Sequence, residues 1–191
     1  MESTYGSRIH RDRDSTLEEM EEILEQTAAD GGNIVIPSFA IGRSQEILYH
    51  LAKNYDEWGV GRFQIFLDSP LAIEATEIYW DFPQLYDEEA LSLRVEDRVA
   101  PMLPNLSMTR TADESIAINE IKSGAIIIAG SGMCTGGRVV HHLRHRLGRA
   151  NTHVVFTGYQ AFGTLGRKLV DGLPQVCLYG DEIQVNASVH T

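Results

Sequence analysis

The chain is short of cysteine, of basic charge and of long apolar runs, and each shortage excludes something. Its two cysteines, Cys134 and Cys177, lie far apart and lack CxxC spacing. A disulfide scaffold is therefore not expected, and a reduced cytoplasmic protein is the simpler reading. No apolar run approaches the length of a membrane span, and no basic-then-apolar leader opens the chain, so no membrane partner is expected. Lys and Arg number 16 against 27 Asp and Glu, for a net charge of −11. A protein that coats nucleic acid through bulk charge should be basic, so that role is excluded. Also missing are an HxHxDH run, a GxSxG elbow and a kinase set. No catalytic constellation is complete, and no metal site is assigned to any residue of this chain.

What is present fits one globular domain over residues 1–191. The 43% apolar and 23% charged residues suit a packed core of ordinary size. Charge is uneven: acids crowd residues 12–30 and 68–97, whereas Arg138 to Arg149 holds four arginines, three histidines and no acid. A local basic face on an acidic body suits binding in a groove.

Apolar runs alternate with amphipathic stretches. Strands are expected at 33–37, 63–67, 106–109, 125–129 and 153–156. A last pair, 176–179 and 182–189, should form an antiparallel hairpin about Gly180-Asp181. Helices are expected from an Asp14 or Ser15 cap to about 30, then at 44–55, from Ser69-Pro70 onward, within 83–93, and at 113–122, 138–147 and 164–171. Residues 94–104 read as a surface excursion. This alternation predicts an α/β fold, a three-layer sandwich with a mainly parallel sheet and helices on both faces. Both ends read as cut from a larger protein.

Three strand–loop–helix junctions are candidates for anion binding, because backbone N–H groups at helix starts favour negative charge and glycines let a phosphate approach them. The sharpest is Gly130-Ser131-Gly132-Met133-Cys134-Thr135-Gly136-Gly137-Arg138, where Ser131, Gly132, Met133, Gly136 and Gly137 would line a cradle and Arg138 would add a charge-assisted contact. Its glycines could equally serve a tight turn. A second junction runs through Gly163, Thr164 and Arg167, with Thr164 as helix cap. The third ends on Arg43, whose alternative is a surface salt bridge to Glu46 or Asp56. His141 and His145 share a helix face, but no third ligand stands nearby, so a basic, partly packed face is the better reading than zinc. Asp68, at a strand end, is expected to be structural.

Five segments in order carry a resemblance. Glu2-Ser3-Thr4-Tyr5-Gly6-Ser7-Arg8-Ile9-His10 resembles the ESTYGxRxH segment of the β-CASP nucleases. Residues 31–46 are similar to their GGxxxIPxFAxxRxQE stretch. Leu67-Asp68-Ser69-Pro70-Leu71-Ala72, the Gly130–Arg138 loop, and Gly158-Tyr159-Gln160 through Gly166 follow in family order. The match is to the RNA-processing branch, that of the nuclease subunit of the cleavage and polyadenylation specificity factor and its bacterial and archaeal counterparts.

The resemblance implies a domain inserted into a metallo-β-lactamase-fold lobe, with single-stranded RNA in the cleft between them. It implies two zinc ions in the parent, held by residues before Glu2 and by a histidine pair expected shortly after residues 188–191, and no cofactor in this fragment. Glu2 matches an acidic residue that would partner one of those histidines, so it would act only with the missing lobe. The sequence leaves room for an oligomer. The alternative is a stand-alone binding module for a nucleotide or phosphorylated small molecule.

Overall fold

A computed structural model describes residues 6, 11–95, 98–101 and 103–191. Glu2 and most of its segment lie outside the described residues.

The centre is a six-stranded sheet. Its strands are β1 (Asn33–Pro37), β2 (Gln64–Asp68), β5 (Leu106–Met108), β6 (Ala125–Ala129), β7 (Thr152–Val155) and β10 (Ser188–His190), in the spatial order β10-β7-β1-β6-β2-β5. Every neighbouring pair is parallel. A parallel sheet needs cover on both faces, and the strands carry side chains for both. Ile34 and Ile36 of β1 and Ile126 and Ile128 of β6 point to one face, where α1 (Arg13–Ala29), α2 (Arg43–Lys53) and α3 (Pro70–Asp81) pack. Val35, Ala125, Ile127 and Ala129 point to the other, under α6 (Arg138–Arg146) and α7 (Leu165–Val170). The expected three-layer α/β sandwich is the fold found. Buried Asn33 sets the register at the sheet's lower end: its side chain donates to Lys122 O at 2.8 Å and accepts from Ala125 N at 3.0 Å.

Local chemistry explains the boundaries. Ser69 caps α3 and Thr164 caps α7, as expected. The cap of α1 is Asp12, not Asp14 or Ser15; its carboxylate accepts from Asp14 N at 2.8 Å. The helix expected at 113–122 stops early. An α-helical stretch, α5 (Ala112–Ala117), passes into a 3-10 turn at Ile118–Glu120. There Arg146 Nη2 donates to Ile118 O at 2.6 Å and draws that carbonyl away from a helix ladder. Residues 83–93 form a 3-10 turn and α4 (Glu88–Ser92). The expected surface excursion contains a small ribbon of β3 (Arg94–Val95) and β4 (Arg98–Pro101).

The end of the chain corrects one expectation. The hairpin exists, as β8 (Gln175–Leu178) and β9 (Asp181–Gln184), but it stands apart from the main sheet. Its two-residue turn is Tyr179-Gly180, with φ of 52° and 89°. The run expected as one strand at 182–189 breaks at 185–187, where Asn186 N and Ala187 N both donate to Leu147 O. Beyond the break the chain enters the main sheet as β10, parallel to β7.

Candidate nucleic-acid interface

Because the six strands are parallel, the turns that follow β1, β2, β6 and β7 emerge on one edge. They also touch. A methyl at Gly130 would lie 3.7 Å from Ser38 O and 3.8 Å from Ser69 Oγ. Gln160 Nε2 donates to Gly132 O at 3.0 Å, and Gly166 N donates to Met133 O at 3.2 Å. The three junctions singled out in the sequence therefore form one rim.

The loop from Gly130 to Gly137 is folded on itself. Val139 N donates to Gly130 O, and Ser131 N to Gly136 O. Ser131 Oγ lies 3.2 Å from Gly136 O and accepts from Thr135 N at 3.0 Å. Gly137 has φ 79°, and a Cβ there would meet Gly130 O at 2.5 Å, so only glycine fits. Cys134 is buried with φ 55°, and burial pushes its thiol up to about 12. The amides of Met133, Gly136 and Gly137 donate to no acceptor among the described residues. Of the six residues expected to meet phosphate here, these three keep free donors. Ser131 is spent inside the loop and Gly132 is buried beneath Phe39.

Arg138 is the clearest correction. It is expected to reach outward, but Nη1 donates to Asp68 Oδ1 at 2.7 Å and to Thr109 O at 2.8 Å, and Nη2 donates to Arg110 O at 2.8 Å. Asp68 is fully buried. It also accepts from Thr109 Oγ1, Ser115 Oγ and His142 Nε2, each at 2.6 Å. Burial alone would raise its pKa, but the hydrogen bonds from His142, Ser115 and Thr109 outweigh burial and hold it at about 2. Burial pushes His142 down, against the pull of Asp68. One turn further along α6, Arg146 is also fully buried, with Nη1 on Asn119 Oδ1 at 2.9 Å. Burial, with Arg149 nearby, lowers it to about 10. The expected basic face of α6 is thus largely an internal polar stripe. Arg138, His142 and Arg146 stand four apart and face inward. Arg144 pairs with Asp181, and His141 stacks on Tyr179 at 4.9 Å.

The other two junctions keep their cations outside. Arg43 pairs with Glu46 at 2.6 Å on the surface, the alternative weighed for it. Arg167 Nε donates to Asp171 Oδ1 at 2.8 Å, and both remain part-exposed. Gly163 has φ 85° just before the Thr164 cap. Between α1, α2 and the β7 end of the rim opens a cavity of about 520 Å³, lined by Arg11, Arg43, His50, Tyr159, Arg167 and His190 among others. His190 Nε2 lies 3.0 Å from His153 Nδ1, the two rings stacked at 5.2 Å. Sequence reasoning passed over both histidines, since they lie 37 residues apart and only the β7–β10 pairing brings them together. Among the described residues no three His, Cys, Asp or Glu side chains are grouped to hold a metal ion. No helix among them is long and apolar enough to cross a membrane.

The profile of the Beta-Casp domain family matches residues 44–169, a span that runs from the start of α2 to α7 and takes in most of the rim. The chain belongs to the Beta-Casp domain family. Ribonuclease TTHA0252 of Thermus thermophilus is 37% identical over the whole chain, which covers 44% of that protein. An RNase J-like protein of Methanocaldococcus jannaschii is 36% identical over 99% of the chain, covering 43% of the relative. Transcription termination factor FttA of Pyrococcus abyssi is 32% identical, with all of this chain covering 30% of its length. The chain thus spans less than half the length of these relatives.

Proposed function

We propose that this Beta-Casp domain is the RNA-gripping part of a metal-dependent ribonuclease of the metallo-β-lactamase fold. It holds single-stranded RNA at its rim while a separate lobe, bearing two zinc ions, hydrolyses the phosphodiester. The carrying observation is the free amides of Met133, Gly136 and Gly137 on a rim whose three junctions contain no acidic residue. Residues 38–45, 130–138 and 156–168 include none of the chain's 27 acids. Oriented N–H groups in such a turn bind a phosphate oxygen without bulk positive charge, which reconciles RNA binding with a net charge of −11. Arg43, Thr164 and Arg167 supply the flanking contacts, while Arg138 acts from beneath by fixing the loop. Glu2 serves only together with the metal-bearing lobe. Names of the relatives that denote ribonucleases support the same reading.

The test is Gly136→Asp in the full-length protein. A Cβ at Gly136 meets nothing within 4 Å, so the fold should tolerate the substitution. A carboxylate there would repel phosphate. We expect binding of single-stranded RNA, followed by fluorescence anisotropy, to weaken on the order of tenfold, the scale of one lost charge-assisted contact. Gly136→Ala should bind as the parent does. Equal binding by all three proteins removes the loop from the interface.

A further inference from the structure

Two phenylalanines stand on the rim beside the glycine loop. Phe162 is 93% exposed and Phe39 50% exposed, and neither belongs to either core cluster. Single exposed apolar side chains are common on protein surfaces; these two are set apart by their place, on the loops that meet at the glycine turn. Both rings sit on segments that meet at Gly132. A Cβ at Gly132 would lie 3.0 Å from Phe39 Cδ2 and Cε2, so the ring packs closely against the glycine turn. From the other side, the loop carrying Phe162 is tied to Gly132 O by Gln160 Nε2 at 3.0 Å.

We infer that Phe39 and Phe162 form a stacking platform for unpaired bases of single-stranded RNA whose phosphate is held by the adjacent amides. This rests on the ribonuclease reading above. Aromatic rings beside a phosphate-binding groove are the usual means of holding single strands, because every base offers a π-face and a sugar–phosphate chain brings base and phosphate together. The surroundings favour a polyanion over a protein partner: residues 38–45, 130–138 and 156–168 contain no acid and leave the loop amides as donors, while Arg43 and Arg167 on the two ring-bearing junctions are each paired with one acid, Glu46 and Asp171. The platform reads no sequence, so it predicts binding that tolerates any base but requires one.

The experiment pairs protein variants with altered RNA. Full-length protein is titrated into a fluorescent, phosphorothioate-protected single-stranded RNA and into the same strand carrying consecutive abasic nucleotides. Phe162→Leu and Phe39→Leu keep apolar bulk and lose the ring; Phe162→Trp and Phe39→Tyr keep a ring. Thermal melting confirms that each variant is folded, and Phe162 carries the test should Phe39 variants melt early. We expect each Leu variant to bind the intact strand on the order of tenfold more weakly. The aromatic variants should bind nearly as the parent does, and all proteins should bind the abasic strand equally weakly. Leu variants that bind both strands like the parent would overturn the platform and point to a protein surface covering these rings. A parent protein indifferent to base removal would overturn it as well, as would one that binds no RNA. If Gly136→Asp leaves binding intact while the Leu variants lose it, the amide cradle fails and the platform stands.

Discussion

The two faces of the central sheet are built on different principles. Under α1, α2 and α3 the filling is apolar: Leu24, Leu48, Leu51, Ile65 and Ile73 are all buried, and the main polar intrusion is Gln45, which donates to Thr76 Oγ1 at 2.8 Å. Under α6 a carboxylate, an imidazole and two guanidinium groups share the interior. Buried charge costs several kcal/mol per ion unless partners repay it, and a well-packed apolar side chain often does as well. The apolar face holds the molecule together wherever its side chains fit. The polar face fixes one arrangement, since Asp68 accepts simultaneously from a strand end, a short helix and both the first and second turns of α6. It lies directly beneath the rim, at the register where β2 and β6 end.

The sharpest way to break this contrast is to remove its centre. Asp68→Ala strands Arg138 and His142 without their anion and should cost about 3–5 kcal/mol in urea unfolding. It should also weaken RNA binding in whatever fraction stays folded. Leu24→Ala on the opposite face should cost about 2–5 kcal/mol yet leave RNA binding unchanged. Equal losses of binding in both variants would erase the distinction.

A smaller effect tests the same site through pH. The folded pKa of Asp68, about 2, lies below its ordinary 3.8. Its stabilisation is therefore complete above the ordinary value and is lost as pH falls through about 2. Stability should drop by roughly 2 kcal/mol across that window. Asp68→Asn should be less stable at neutral pH and lack this part of the acid dependence. A variant with the same acid profile as the parent would place the titration elsewhere. The smallest effect belongs to the rim. Arg43→Ala breaks an exposed pair and should change stability by less than about 1 kcal/mol. The salt dependence of RNA binding should become shallower by roughly one counterion. A large loss of stability would mean that this rim cation, like Arg138, is structural.

Much of this was legible in the chain. Five-residue apolar runs at β1 and β6 declared buried parallel strands, and Ser69-Pro70 and Thr164 marked helix starts by short-range chemistry. Glycine clusters after strands located all three rim junctions. The polar stripe was not legible, because Arg138, His142 and Arg146 read as part of a basic, partly packed face until Asp68 and Asn119 arrive. Those partners lie 74 and 27 residues away from His142 and Arg146. Spacing on α6 suggested that His141 and His145 face together, but it could not say which face turns inward. The split of residues 182–189 escaped for a similar reason: Leu147 O, which captures the break, is remote in sequence.

The two thiols offer a practical handle. Cys134 is sealed inside the glycine loop and holds its proton far above neutral pH, whereas Cys177 on β8 is open to solvent. Alkylating reagents attack the deprotonated form, so a maleimide dye added to the native domain should decorate one position only. That gives a reporter on the hairpin, outside the rim, for testing the proposed contact with RNA without altering the rim itself.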